Sequence, residues 1–232
     1  MKIFLVIITT LLSLAFVVLA SFMLITAGTN LDSAKLVDYK KTITIYDDEG
    51  NKIENASSVT GKKTVNVSNL QDYTLNAFIA SEDRNFYSHN GLNYKRMLKA
   101  LYRNITTMSF KEGASTISQQ LIKNTHLSSD KTLTRKLKEI KLTRQLERRY
   151  EKNEILEMYL NTIYFGHNCY GLQSASQFYF NKPAELLNLE QSATLAGLLS
   201  SPNNYSPFKN PEKSLARRNT VLKSMKTCGY ID

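Results

Sequence analysis

Hydrophobic and polar positions divide the chain into three stretches. The 23 residues from Ile3 to Ile25 carry no charge, and their only hydroxyl groups are on Thr9, Thr10, Ser13 and Ser21. As a helix rising about 1.5 Å per residue they reach roughly 34 Å, enough to cross a hydrocarbon core of about 30 Å. A cleaved signal peptide is the competing reading, with Val18-Leu19-Ala20 as a weak cleavage site. The run is well beyond the roughly 7–15 residues of a signal's apolar region, so an uncleaved anchor is expected. Lys2 precedes the span and Lys35, Lys40 and Lys41 follow it. That count leaves orientation open and by itself leans against an outward-facing body.

Between Asp38 and Val67, β-branched and polar residues alternate, as in TITIY (Thr42–Tyr46), then the turn-like DDEGN (Asp47–Asn51), then a second short run. A period of two on either side of a turn predicts a small β-hairpin. From Asn69 onward the period is helical. Between Leu92 and Phe110, Met97, Leu98, Leu101, Tyr102, Ile105 and Met108 interleave with Lys95, Arg96, Lys99 and Arg103. Such a segment either packs an apolar face on the core or dips into a lipid interface. Further on, Leu133, Leu137 and Ile140 define an apolar stripe, with Leu142 and Leu146 at its edge. KNEILEMYLN (Lys152–Asn161) reads as an amphipathic helix with Ile155, Leu156, Tyr159 and Leu160 inward, followed by an aromatic loop, YFGHNCYG (Tyr164–Gly171). Two more helices are expected around Leu186–Ser200 and Pro211–Met225, separated by a loop in which Pro202 and Pro207 enforce irregular backbone. The expected fold is mainly α, with a small β-hairpin stalk and one N-terminal transmembrane helix. Its segments are an anchor over 1–27, a linker over 28–68 and a main domain over 69–232.

Composition narrows the function without choosing it. A chain of 232 residues supports one sizeable core, and a net charge of +10 suggests an anionic partner: nucleic acid, an anionic membrane surface or a phosphorylated substrate. From Lys123 to Lys152 there are ten Lys or Arg against four Asp or Glu, so this segment alone carries +6. Cys169 and Cys228 lie far apart without zinc or redox spacing, and are expected to be free thiols, or a disulfide in an extracytoplasmic setting.

The chemistry concentrates in three places. Leu75, Phe78 and Ile79 recur at helical spacing, Glu82 takes the next place on their face, and Phe86 the one after. A carboxylate there is either ion-paired or chemically employed, because burying it alone costs several kcal/mol. GASTISQQLIKN (Gly113–Asn124) is dense in hydroxyl and amide groups: Ser115 or Thr116 is suited to cap a helix, and Gln119, Gln120, Lys123 and Asn124 can present donors to an oxygen-rich ligand. Glu139 sits at the rim of a core face, four residues after Arg135. Lys123, Lys131, Arg135 and Lys136 supply more positive charge than one carboxylate needs, which suits phosphate or pyrophosphate. Gly-rich phosphate loops and His/Cys metal clusters do not occur in the sequence.

EDRNFYSHNG (Glu82–Gly91), GASTISQQLIKN, RKLKE (Arg135–Glu139), KNEILEMYLN and RRNTVL (Arg217–Leu222) resemble, in the same order, the five motifs of the peptidoglycan glycosyltransferases. These occur as monofunctional enzymes and as the amino-terminal domain of bifunctional penicillin-binding proteins. The resemblance runs from about Asn69 to Met225; Ala114 stands where the family often has a second Gly, and Ser118 where it often has Thr. The resemblance implies a lysozyme-like helical domain on the outer face of the cytoplasmic membrane, with the short amino terminus inside. It implies polymerisation of lipid II, a disaccharide-pentapeptide on undecaprenyl pyrophosphate, into glycan strands with inversion. Expected partners are lipid II, the nascent glycan strand, the membrane and other cell-wall synthesis or division proteins, with no nucleic acid. Carried over, Glu82 is the general base toward the acceptor's 4-hydroxyl, its pKa open to being lifted by an apolar wall. Glu139 is the second important carboxylate, orienting the cations or holding Mg²⁺ or Mn²⁺ at the pyrophosphate, although no cofactor is required. Lys123, Lys131, Arg135 and Lys136 would stabilise the leaving group, and Gln119, Gln120, Ser115, Thr116 and Asn124 would line the substrate subsites. Asp83, Phe86, His89, Gly91, Gly113, Glu157, Tyr159, Asn161, Arg217 and Arg218 are expected to be structural residues of the motifs. No penicillin-binding serine domain is expected within these 232 residues. Two rival readings are a glycan-cleaving lysozyme-like enzyme and a non-catalytic membrane protein that binds anionic lipid or nucleic acid through the basic segment.

Overall fold

The computed structural model describes residues 2–40, 47–49, 64–107 and 115–232. Helix α1 (Lys2–Ile25) has no buried residue and is long and apolar enough to cross a membrane. Its hydroxyls bond back to its own carbonyls: Thr9 Oγ1 to Val6 O at 3.0 Å, Thr10 Oγ1 to Ile7 O at 2.8 Å, and Ser13 Oγ to Thr10 O at 2.9 Å. Within lipid that internal satisfaction removes the main cost of polar side chains.

Beyond α1 the chain is fastened to the body at once. Helix α2 (Ser33–Leu36), capped by Asp32, leads into a 3-10 turn at Asp38–Lys40. A second 3-10 turn, Val67–Asn69, is capped by Asn66. The strands of the expected hairpin, Thr42–Tyr46 and the run after Asn51, lie outside the described residues. The ends of the linker are not a free-standing stalk: Leu31, Leu36, Tyr39, Val65 and Val67 are all buried in the main core.

The body is helical: α3 (Asp72–Glu82), α4 (Tyr94–Thr107), α5 (Ile117–His126), α6 (Leu133–Arg149), α7 (Lys152–Thr162), α8 (Leu172–Phe180), α9 (Leu189–Leu198) and α10 (Pro211–Thr227). Their starts follow local rules. Thr116 and Asn188 each form a reciprocal capping box with the glutamine three residues on, Thr132 caps α6, and Pro211 opens α10 where its missing N–H costs nothing. Helix α3 packs between α9 and α10, and α5 lies against α6 and α7. The two groups share one core, and Phe78 of α3 meets Phe165 edge-to-face at 6.0 Å.

Two expectations change here. Leu133 is 76% exposed, so the predicted stripe is not the buried face of α6; Glu139, Leu142, Thr143 and Leu146 are. The physical cause is that α5 and α7 cover the i, i+3, i+4, i+7 set that includes a carboxylate. Glu82 is only half-buried, whereas the following residue, Asp83, is 1% exposed. Helix α3 ends between them, and Asp83 as its C-cap turns inward. Helix α8 has no counterpart in the sequence reading; Leu172, Ala175, Ser176 and Tyr179 form its buried face, and small residues make that period faint in the sequence. The aromatic loop before it is a loop as read, closed by an antiparallel bridge between Tyr164 and Tyr170.

Candidate active site

Adjacent glutamines on α5 reach the two carboxylates singled out in the sequence. Successive helix residues point about 100° apart, so Gln119 and Gln120 face different ways. Gln119 Nε2 donates to Glu139 Oε1 at 3.0 Å, and Gln120 Nε2 donates to Glu82 Oε2 at 2.9 Å. The Thr116 capping box fixes the first turn of α5: the Thr116 hydroxyl accepts from Gln119 N at 3.2 Å and donates to Gly91 O at 2.7 Å.

Glu139, 2% exposed, is held by three donors. Besides Gln119, Arg135 Nη1 reaches Oε2 at 2.8 Å and Lys136 Nζ bonds Oε1. A buried carboxylate with two cations and an amide is compensated rather than isolated. Glu82 has a lighter set of partners. Gln120 is its main donor, the Ser81 hydroxyl stands 3.4 Å from Oε1, and Arg96 Nη1 holds the Glu82 carbonyl at 2.7 Å. Its side chain opens on a surface depression shared with Arg84, Asn85, Asn93, Lys95, Arg96 and Lys99.

Beneath Glu82 runs a second layer. Asp83 Oδ2 accepts from Ile117 N at 3.1 Å and His89 Nε2 at 2.8 Å, and Gly91 N donates to His89 Nδ1 at 3.1 Å. The ring therefore carries its proton on Nε2, one nitrogen donating and the other accepting. Gly91 has φ +84°, and a Cβ there would stand 2.8 Å from Thr143 and Glu147 of α6. Only glycine combines that backbone with that approach.

Tyr159 of α7 is fully buried, and its hydroxyl donates to Gln120 Oε1 at 3.1 Å. Burial, with smaller contributions from Glu82 and Asp83, pushes its pKa well above the ordinary value, so the phenol stays protonated. Gln120 also borders a large cleft, together with Lys123, Asn124, Lys35, Tyr39, Tyr164 and Tyr170.

The protein family described as Transglycosylase matches residues 49–226, more than half of the chain. The chain belongs to the transglycosylase family. It is 43% identical over 202 residues to penicillin-binding protein 1F of Bacillus subtilis (strain 168), covering 84% of this chain and 28% of that protein. It is 45% identical over 205 residues to penicillin-binding protein 1A/1B of the same organism, covering 87% and 22%. The chain thus spans about a quarter of the length of these curated relatives. A crystal structure of penicillin-binding protein 1A from Haemophilus influenzae matches 83% of this chain and 19% of its own, at 24% identity and a TM-score of 0.43.

Within this transglycosylase the expected cationic group is split. Lys123 and Asn124 are exposed in the large cleft, Arg135 borders a different depression with His126, Thr132 and Lys138, and Lys131 stands exposed before α6. Arg135 and Lys136 are committed to Glu139. Thr116 is buried in its cap, Ser115 is half-buried beside it, and Gly113 lies outside the described residues. Glu157 Oε2 accepts from Val67 N at 3.1 Å, while Asn161 accepts from Val65 N at 2.8 Å and donates to Val65 O at 2.9 Å. The fourth motif therefore fastens the linker. Phe86 is fully buried under Lys152 Nζ, 4.6 Å from its ring, and Arg217 reaches Ser81 and Ser200 from α10. Arg218 bonds Asn219 beside it.

Glu139 does not fit a divalent cation. Mg²⁺ takes about six oxygen ligands, whereas both Glu139 oxygens already accept from Arg135, Lys136 and Gln119. No group of three or more His, Cys, Asp or Glu positioned for a metal occurs among the described residues. Cys169 and Cys228 are both free.

Sequence reasoning missed Glu147, which joins Ser118 to Lys152 below Gly91, and the linker's Lys35 and Tyr39, which wall the cleft. Glu147 has only its place five residues before the end of the basic stretch to mark it, and the cleft role of Lys35 has no local signal.

Proposed function

We propose that this transglycosylase polymerises lipid II into glycan strands, passing the growing chain from its undecaprenyl pyrophosphate to the 4-hydroxyl of the acceptor sugar with inversion. The observation that carries the reading is Glu82: a carboxylate held by one amide at the mouth of a cationic depression, at the end of a helix that the core fixes in place. Glu82 takes the proton from the acceptor hydroxyl. Cations at the rim, Lys95, Arg96 and Lys99 on one side and Lys123 on the other, favour the anionic groups of the substrate. Glu139 keeps Arg135 and Lys136 ordered and joins α6 to α5. Since no divalent ion fits at Glu139, charge on the leaving pyrophosphate falls to side-chain cations. Helix α1 anchors the domain beside its lipid substrate, with the amino terminus inside, the body outside and residues 28–68 joining the two.

Purified full-length chain in detergent, incubated with lipid II, tests this. Native protein should yield glycan polymer without added metal, and Glu82→Gln none. Polymer from Glu82→Gln at the native rate would remove Glu82 as the base, and release of soluble fragments from finished cell wall would favour a hydrolase.

A further inference from the structure

We propose that Tyr159 is a positioning residue for Glu82, acting through Gln120 as a two-bond latch that orients the carboxylate and leaves Oε1 as the oxygen that takes the acceptor's proton. The inference rests on the reading of Glu82 as the base.

A glutamine amide has one accepting end and one donating end, and its helix alone does not decide which faces a ligand. Here both ends are specified. The Tyr159 hydroxyl lies 3.1 Å from Gln120 Oε1, and Gln120 Nε2 lies 2.9 Å from Glu82 Oε2. A reversed amide would set its carbonyl against the carboxylate, oxygen to oxygen. Tyr159 sits fully buried on α7, so its hydroxyl is placed by the packed core rather than by solvent-exposed backbone. The phenol's pKa, pushed up first by burial and then by Glu82 and Asp83, keeps it a donor throughout the working pH range.

The two oxygens of Glu82 are thereby made unequal. Oε2 is occupied by the Gln120 amide, and a hydrogen bond to the ionised form stabilises the anion there. Among the described residues Oε1 has only the Ser81 hydroxyl, at 3.4 Å, longer than a strong hydrogen bond. It is the oxygen left to face the acceptor hydroxyl. In the step itself the hydroxyl's O–H bond breaks, its proton passes to Oε1, and its electron pair forms the new glycosidic bond as the bond to pyrophosphate breaks. Holding Oε1 in place before that event lowers the barrier without strengthening substrate binding, the behaviour of a group that acts in the transition state.

The test uses full-length protein in detergent with lipid II as substrate, and compares native, Tyr159→Phe, Gln120→Ala, the double variant and Glu82→Gln. Tyr159→Phe removes one oxygen atom and keeps the ring. The expected result is a fall in kcat of about tenfold, the equivalent of one lost hydrogen bond, with KM nearly unchanged. The acidic limb of the pH–rate profile should move toward higher pH, a change that mere loosening of the fold would not produce. Gln120→Ala should show the same signature, and the double variant should be no worse than Gln120→Ala alone, because the tyrosine acts only through the glutamine. If Tyr159→Phe fails to fold, half-buried Gln120→Ala carries the test through the same pH profile. Native kcat and an unmoved acidic limb in folded Tyr159→Phe, or losses that multiply in the double variant, would overturn the latch. Glu82→Gln separates the two levels: if it is inactive while Tyr159→Phe behaves as native, only the latch fails, and if it is active the base assignment fails first.

Discussion

Glu82 and Glu139 are served by neighbouring glutamines of one helix, yet their surroundings are opposite. Glu139 is buried, with Arg135, Lys136 and Gln119 all bonded to it, and lies on the core face of α6 between Arg135 and Leu142. Glu82 is half-buried at a helix end, with one amide as its main partner and an open depression in front of it. A fully compensated carboxylate has little capacity left to take a proton or an ion. A lightly held one at a surface retains that capacity. The contrast supports the proposed division, structure for Glu139 and chemistry for Glu82, and teaches that burial and charge pairing, rather than carboxylate identity, distinguish the two surroundings.

The largest expected effect comes from breaking the buried side. Glu139→Ala leaves two cations and an amide without their shared acceptor. With the Arg135 and Lys136 side chains 16% and 35% exposed, part of that cost is relieved by water, so a loss of about 2–3 kcal/mol is expected in denaturant unfolding of the solubilised protein. A loss below about 1 kcal/mol would show that Glu139 is not a structural centre. Gln119→Ala comes next, at about 1–2 kcal/mol, since it removes half of a capping box and one of Glu139's donors.

A smaller effect, confined to alkaline pH, belongs to Tyr159. Its folded-state pKa is raised above the ordinary 10.0, so above that pH the unfolded chain binds fewer protons than the folded one. The associated stability is complete below pH 10.0 and is lost as pH rises beyond it, by at most about 1.4 kcal/mol per pH unit. Stability measured from pH 9 to 11, on the order of the titration range, should therefore decline less steeply in Tyr159→Phe than in the native protein. The smallest change in stability is expected for Glu82→Gln, within about 0.5 kcal/mol, together with the expected loss of polymer formation. Comparable destabilisation by Glu82→Gln and Glu139→Ala would erase the distinction between the two sites.

Much of this was legible in the order of residues. The long apolar helix, the helical body and the Thr116 cap follow from local rules of length, period and capping, and five ordered motifs pointed to the family that the comparison found. Glu82 and Glu139 were marked by a simple conflict, a charge on an apolar period. The degree of burial was not legible. Position 82 fits the stripe of α3 as well as position 83 fits the turn, and only the place where the helix ends decides that Asp83 turns inward while Glu82 remains at the rim. The stripe of Leu133, Leu137 and Ile140 was equally persuasive on paper, but the neighbours of α6 chose its other face.

What the sequence determined by itself is what depends on near neighbours: an apolar span of membrane length, helix starts, and the kinds of group available for chemistry. What the tertiary structure decided is which group meets which. That Gln119 serves Glu139 while Gln120 serves Glu82, that Lys123 parts company with Arg135, and that a tyrosine from α7 sets the orientation of an amide on α5 all depend on contacts between segments 20 to 39 residues apart. Such contacts arise from packing whole helices into one core, and no local pattern encodes the angle at which two helices meet.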